Sequence, residues 1–215
     1  MKTLLNRSLL NKLSVLVVGA AMLAPAQALA HHMMGGKVPV TFMQGLLSGL
    51  GHPIIGLDHF AAVVGVGILA ALLGRGVRPV LAFSAAMILG VALHLASANI
   101  PAAELLVGLS TLLIGGLVAL RLSLGVLPAA VLFAAVGVFH GYALGESIVG
   151  AEASPLGAYL AGLFVIQTAI AVAAYAATTR IQQRAPSFNR AGMAAAGALI
   201  ALIGAVMVAT AGFPG

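Results

Sequence analysis

The chain has no cysteine and very little charge. Without cysteine there are no disulfides, no thiolate metal sites and no thiol nucleophile. Any metal chemistry must rest on imidazole, carboxylate, thioether or backbone oxygen. Charged residues make up 7% of the 215, and only four are acidic; a soluble domain carries about a quarter. So few charges cannot wet a surface in water, and the surface must face lipid. Catalytic and nucleotide signatures are missing as well. The sequence holds no P-loop, so ATP hydrolysis is not assigned to it. It has no H-E-x-x-H helix and no G-x-S-x-G turn, which argues against an intramembrane metal hydrolase or another enzyme. The net charge of +6 comes from basic residues scattered singly between apolar runs. That pattern orients a protein in a bilayer and does not bind nucleic acid.

Hydrophobic residues, by contrast, reach 62%, and mean hydropathy is +1.16. Residues 1–30 read as a cleavable signal peptide. Lys2, Arg7 and Lys12 precede an apolar stretch from Leu13 to Leu23, and Ala28-Leu29-Ala30 supplies the cleavage site. The mature chain, residues 31–215, then begins His31-His32 outside the cytoplasm. A bilayer core takes about 20 apolar residues per helix. Six such runs follow, near 53–73, 79–97, 102–120, 128–149, 156–179 and 191–211. The expected fold is therefore an all-α polytopic membrane protein. Val40 to Leu50 is too short to span and lies along the interface or re-enters. The loop Arg180 to Arg190 is the longest and most polar break. With a translocated N-terminus, Arg75, Arg78, Arg121, Arg180, Arg184 and Arg190 fall on the cytoplasmic side and Lys37 outside. The positive-inside rule requires this bias, and it places the C-terminus outside as well.

Ionisable groups inside apolar spans are costly and are functional candidates by default. They are His52, Asp58 and His59 around the first span, His94 in the second, Glu104 at the start of the third, and His140 and Glu146 in the fourth. In this topology all lie in the outer half of the bundle. His52 precedes Asp58 by six residues, as His140 precedes Glu146. Six residues advance a helix by roughly 600°, about 240° past a full turn. An unbroken helix therefore aims the two members of each pair at different faces. Gly56 and Gly145 lie within the two intervals, and a bend there would reunite each pair. Spans one and four run in opposite directions, as in an inverted 3+3 repeat whose site forms at interrupted helices. Glu104 suits the dipole of its helix start. Glu152 reads as solvated and Gln167, mid-span in the fifth helix, as a partner for another helix. His31 and His32, with the new α-amino group, offer a further donor set.

Two segments carry a family resemblance. Gly51-His52-Pro53-Ile54-Ile55-Gly56-Leu57-Asp58-His59 resembles the first-helix signature of the HupE/UreJ family. Phe139-His140-Gly141-Tyr142-Ala143-Leu144-Gly145-Glu146 resembles that family's fourth-helix signature. Leu144 stands where the usual form has a second histidine, and Ser147 where it has its acid. The resemblance implies a permease for Ni²⁺ or Co²⁺ linked to hydrogenase or urease maturation, in a bacterial inner membrane. It implies His52, Asp58, His59, His140 and Glu146 as metal-pathway residues, with the ion as cargo and no prosthetic group. Imidazole and carboxylate donors suit such borderline ions. His94, His31 and His32 are added from position alone. The alternative is a b-type haem protein using two of His59, His94 and His140 as axial ligands.

Overall fold

A computed structural model describes residues 37–211, without the side chains of 186–189. The signal segment and the histidines His31 and His32 lie outside the described residues. Seven α-helices follow one another in the described part: α1 (Phe42–Ile55), α2 (Leu57–Leu72), α3 (Arg78–Leu95), α4 (Ala103–Leu120), α5 (Val126–Gly145), α6 (Ala153–Arg184) and α7 (Pro186–Ala211). A 3₁₀ turn, Glu146–Ile148, follows α5. Helices α3 to α7 are each long and apolar enough to cross a membrane, and α1 with α2 passes the same test only as a pair, bent in the manner of a broken span or a re-entrant loop. The protein is an all-helical polytopic membrane protein. Leu81, Leu89, Leu113, Val131, Val165 and Leu199 are exposed around the outside, where lipid satisfies them.

The first span differs from the sequence expectation. It starts at Phe42 and not near residue 53; the 77° bend between α1 and α2 falls at Gly56, where the spacing of His52 and Asp58 asks for one. Phe42 to Leu50, most of the stretch that the sequence sets along the interface or re-entering, is helical and continuous with residue 53. Thr41 and Gln44 close a reciprocal capping box at the start of α1, so the helix begins well before the most apolar stretch. The break has a local cause. Pro53 has no N–H to continue the ladder, and Gly56 then takes an extended conformation (φ −73°, ψ 101°). The Arg180–Arg190 break is also a single residue, Ala185, because α6 continues to Arg184. Arginine and glutamine are good helix formers, so polarity there marks the helix leaving the apolar layer. The helix ends before Pro186, as residues preceding proline tend to dictate.

Packing relies on glycine where backbones meet. A Cβ at Gly45 or Gly49 of α1 would fall on the backbone of Pro155 or Tyr159 in α6, and one at Gly67 of α2 on Ala171 farther along α6. Gly90 faces Val138, joining α3 to α5, and Gly108, Gly115, Gly197 and Gly204 join α4 to α7. Small residues permit this approach where no hydrophobic force draws helices together. Exchanging the first three spans for the last three maps α3·α5 onto α1–α2·α6 and α4·α7 onto itself, the pairing of an inverted repeat. The contact of α2 with α4 has no comparable counterpart between α5 and α7. These registers put the starts of α1, α4 and α6 and the ends of α3, α5 and α7 at one end of the bundle. The six arginines of the described residues lie at the opposite end. Helix α2 is the central element: from Ala61 to Ala71 only Val64 is not buried.

Candidate metal-ion site at the helix break

The break between α1 and α2 lies well inside the bundle. His52, in the last turn of α1, is 2% exposed; Asp58 and His59, in the first turn of α2, are 4% and 1% exposed. The His52 ring lies edge-on to His59 at 6.0 Å and to Tyr159 of α6 at 6.5 Å. Asp58 Oδ2 is 3.7 Å from His59 Nε2. From α5, the fully buried His140 brings its Nδ1 to 3.0 Å from His59 Nδ1. Four polar groups on three helical segments thus share one buried centre. The carboxylate lies at the start of α2, where the helix dipole favours negative charge.

A hydroxyl shelf on α4 orients His140. Ser110 Oγ lies 3.1 Å and Thr111 Oγ1 3.5 Å from His140 Nε2. Both hydroxyls donate to the Val107 carbonyl, each at 2.9 Å. Their protons are thereby engaged, so toward His140 they act as acceptors and Nε2 carries the ring proton. The Nδ1 lone pair of His140 is left facing His59, whose Nδ1–H donates to it. If the His59 proton moves to Nε2, beside Asp58, two nitrogen lone pairs face each other at 3.0 Å, and with bonds of about 2 Å to each nitrogen a cation enters between them only as the rings part. Among the described residues no group of three or more histidine, aspartate or glutamate side chains stands in a geometry that could hold a metal ion. The centre is closed on its own hydrogen bond.

Glu146 lies apart from this centre. It is exposed on the 3₁₀ turn after α5. The α-helix runs unbroken through Gly145, so the angular offset of a six-residue spacing persists, and the sequence-expected reunion of His140 with Glu146 does not occur. His94 is also elsewhere: its ring packs on Tyr142 at 4.6 Å. With Asn99, Tyr142, Val149 and Gly150 it lines an open cavity of about 390 Å³ at the end of the bundle where α3 finishes. Glu104 is exposed in the first turn of α4, and Glu152 precedes α6 as an exposed residue.

Sequence reasoning missed Ser110, Thr111, Tyr159 and Ser147. The Tyr159 hydroxyl donates to the Leu144 carbonyl at 2.8 Å and accepts from Ser147 at 3.1 Å, fixing the end of α5 to α6 beside His52. Adjacent hydroxyls in the middle of an apolar run were the available signal for Ser110 and Thr111. The haem alternative finds no support in this geometry. His59 and His140 are in direct nitrogen–nitrogen contact, leaving no room for a macrocycle between them, and His94 stacks on Tyr142.

The sequence model of the family described as "HupE / UreJ protein" matches residues 19–207. The chain is 34% identical over 103 residues to a protein of Rhizobium leguminosarum bv. viciae named Protein HupE, an alignment covering 47% of this chain and 54% of that one. The chain thus spans about half the length of the curated relative it matches. No solved structure matches it.

Proposed function

Because this chain belongs to the HupE/UreJ family, we propose that it is a secondary transporter carrying a divalent transition-metal ion, Ni²⁺ or Co²⁺, into the cell for metalloenzyme maturation. The observation that carries this reading is the convergence of His52, Asp58, His59 and His140 on the interrupted first span, where secondary transporters build their sites. Imidazole and carboxylate donors, three and one here, suit Ni²⁺ and Co²⁺, and so small a donor set lets the ion leave again. The arginine-rich end faces the cytoplasm of a bacterial inner membrane by the positive-inside rule. The ion arrives from the other side, through the cavity at His94 and Tyr142. At the centre the His59 ring proton moves from Nδ1 to Nε2, beside Asp58, and the freed Nδ1 lone pairs of His59 and His140 take the ion. Hydrogenase or urease maturation is the consumer that the family points to.

Uptake by purified protein in liposomes, with Ni²⁺, Co²⁺, Zn²⁺ and Cu²⁺ in competition, tests the reading. Saturable uptake led by Ni²⁺ or Co²⁺ is expected; no uptake of any of the four refutes it. In the same assay Glu146→Gln separates entrance from centre. Glu146 is exposed and about one to two turns along the chain from His140, so it acts on capture. Its loss is expected to raise KM by roughly three- to tenfold, the size of one screened surface attraction, with the maximal rate unchanged. A fall in maximal rate with KM unchanged would move Glu146 into the centre.

A further inference from the structure

The sequence assigns Gln167 to a hydrogen bond with a neighbouring helix, and the structure gives it none. Its side chain is 0% exposed, and neither amide atom has a hydrogen-bond partner among the described residues. The next residue, Thr168, does bond across helices, donating to Ser84 of α3 at 2.9 Å. Interhelical bonding was therefore available at this level of α6, and Gln167 does not use it. A buried amide with donor and acceptor both unmet is destabilising, and a leucine would fill the place without that penalty.

The position of Gln167 gives the amide a purpose. Tyr159, Leu163, Gln167 and Ala171 recur every four residues on one buried face of α6. Tyr159 and Leu163 meet Gly49 of α1, and Tyr159 also faces the His52 ring. Ala171 meets Gly67 of α2, two turns beyond His59. Gln167 lies between these contacts, one turn past the histidine centre toward the arginine-rich end. The α2 residues at that level, Val63 and Val66, are buried and apolar.

We infer that Gln167 is a second ion station, whose amide oxygen takes the divalent cation or its bound water as the ion leaves the histidine centre. This rests on the transport reading above. A neutral amide oxygen is a hard, weak donor beside imidazole. It lowers the step out of the centre without trapping the ion there.

The test uses full-length protein in liposomes with Ni²⁺ as probe, comparing wild type, Gln167→Leu, Gln167→Glu and Asp58→Asn. Gln167→Leu is expected to fold at least as stably as wild type and to bind Ni²⁺ in detergent with the same affinity, because the histidine centre is untouched. Its uptake rate is expected to fall about tenfold, the cost of losing one donor on the translocation barrier. Gln167→Glu keeps an oxygen at the same reach and is expected to restore most of the rate. Uptake by Gln167→Leu equal to wild type overturns the inference, as does a Gln167→Glu variant equally as slow as Gln167→Leu. If wild type takes up no ion, or Asp58→Asn transports normally, the parent reading fails and this one with it.

Discussion

Protein carrying Asp58→Asn is expected to insert, fold and accumulate normally and to move no ion. The carboxylate is 4% exposed and lies 3.7 Å from His59 Nε2, at the start of a helix that the rest of the bundle encloses. It has two effects on an arriving cation. On the transport reading it draws the His59 proton from Nδ1 to Nε2 as the ion arrives, which frees Nδ1, and it supplies the negative charge that offsets a dication taken out of water. Two unit charges about 4 Å apart at an effective dielectric constant near 20 interact by about 4 kcal/mol, and a divalent ion gains more. Losing that interaction reduces occupancy by roughly a thousandfold, so uptake should fall to background. Insertion has no reason to suffer, since an ionised aspartate at mid-span costs about 2.5–3.5 kcal/mol on the translocon scale. The opposing term is the lost attraction to the α2 dipole, about 0.3–1 kcal/mol. Uptake should be measured at matched protein content, with a monodisperse elution profile as the check on folding. Wild-type uptake by such a variant would remove Asp58 from the site.

Asp58 was accessible to sequence reasoning because charge is rare here. With only four acidic residues in the chain, an acid inside an apolar run stands out. The six-residue spacing from His52 also carried geometric information, since on a continuous helix the pair cannot meet. The structure resolves the two such pairs differently. At Gly56 the helix breaks and His52 joins Asp58 and His59 around one centre. At Gly145 only a 3₁₀ tightening occurs, and Glu146 stays outside. Glycine permits a break and does not compel one; Pro53 made the difference in the first span. The extent of α1 was hidden because its start is set by a local cap at Thr41 and by glycine contacts to α6, neither of which hydropathy registers. The sorting of arginines to one end was legible, since loop charge needs no tertiary information. The shelf of Ser110 and Thr111 was not, because its meaning depends on which helix lies opposite.

The largest structural effect is expected at Gly141, which follows His140. A Cβ there would fall on the carbonyl and Cα of Met87 in α3, rigid backbone that no rotamer change moves aside. Gly141→Ala must therefore push α3 and α5 apart along a pairing that Gly90 and Gly137 also hold close. Overpacking of this kind costs about 1–3 kcal/mol. Because the displaced helix carries His140, the 3.0 Å approach of its Nδ1 to His59 is lost along with its hold on Ser110. Thermal stability in detergent and uptake should fall together. Gly116→Ala in α4 is the matched control: the added methyl meets nothing within 4 Å, and alanine is the better helix former by about 1 kcal/mol in water. It should leave uptake unchanged and stability equal or slightly raised. Equal behaviour of the two variants would show that close approach of α3 and α5 does not hold His140 in place, and the centre would then have to be organised from α2 alone.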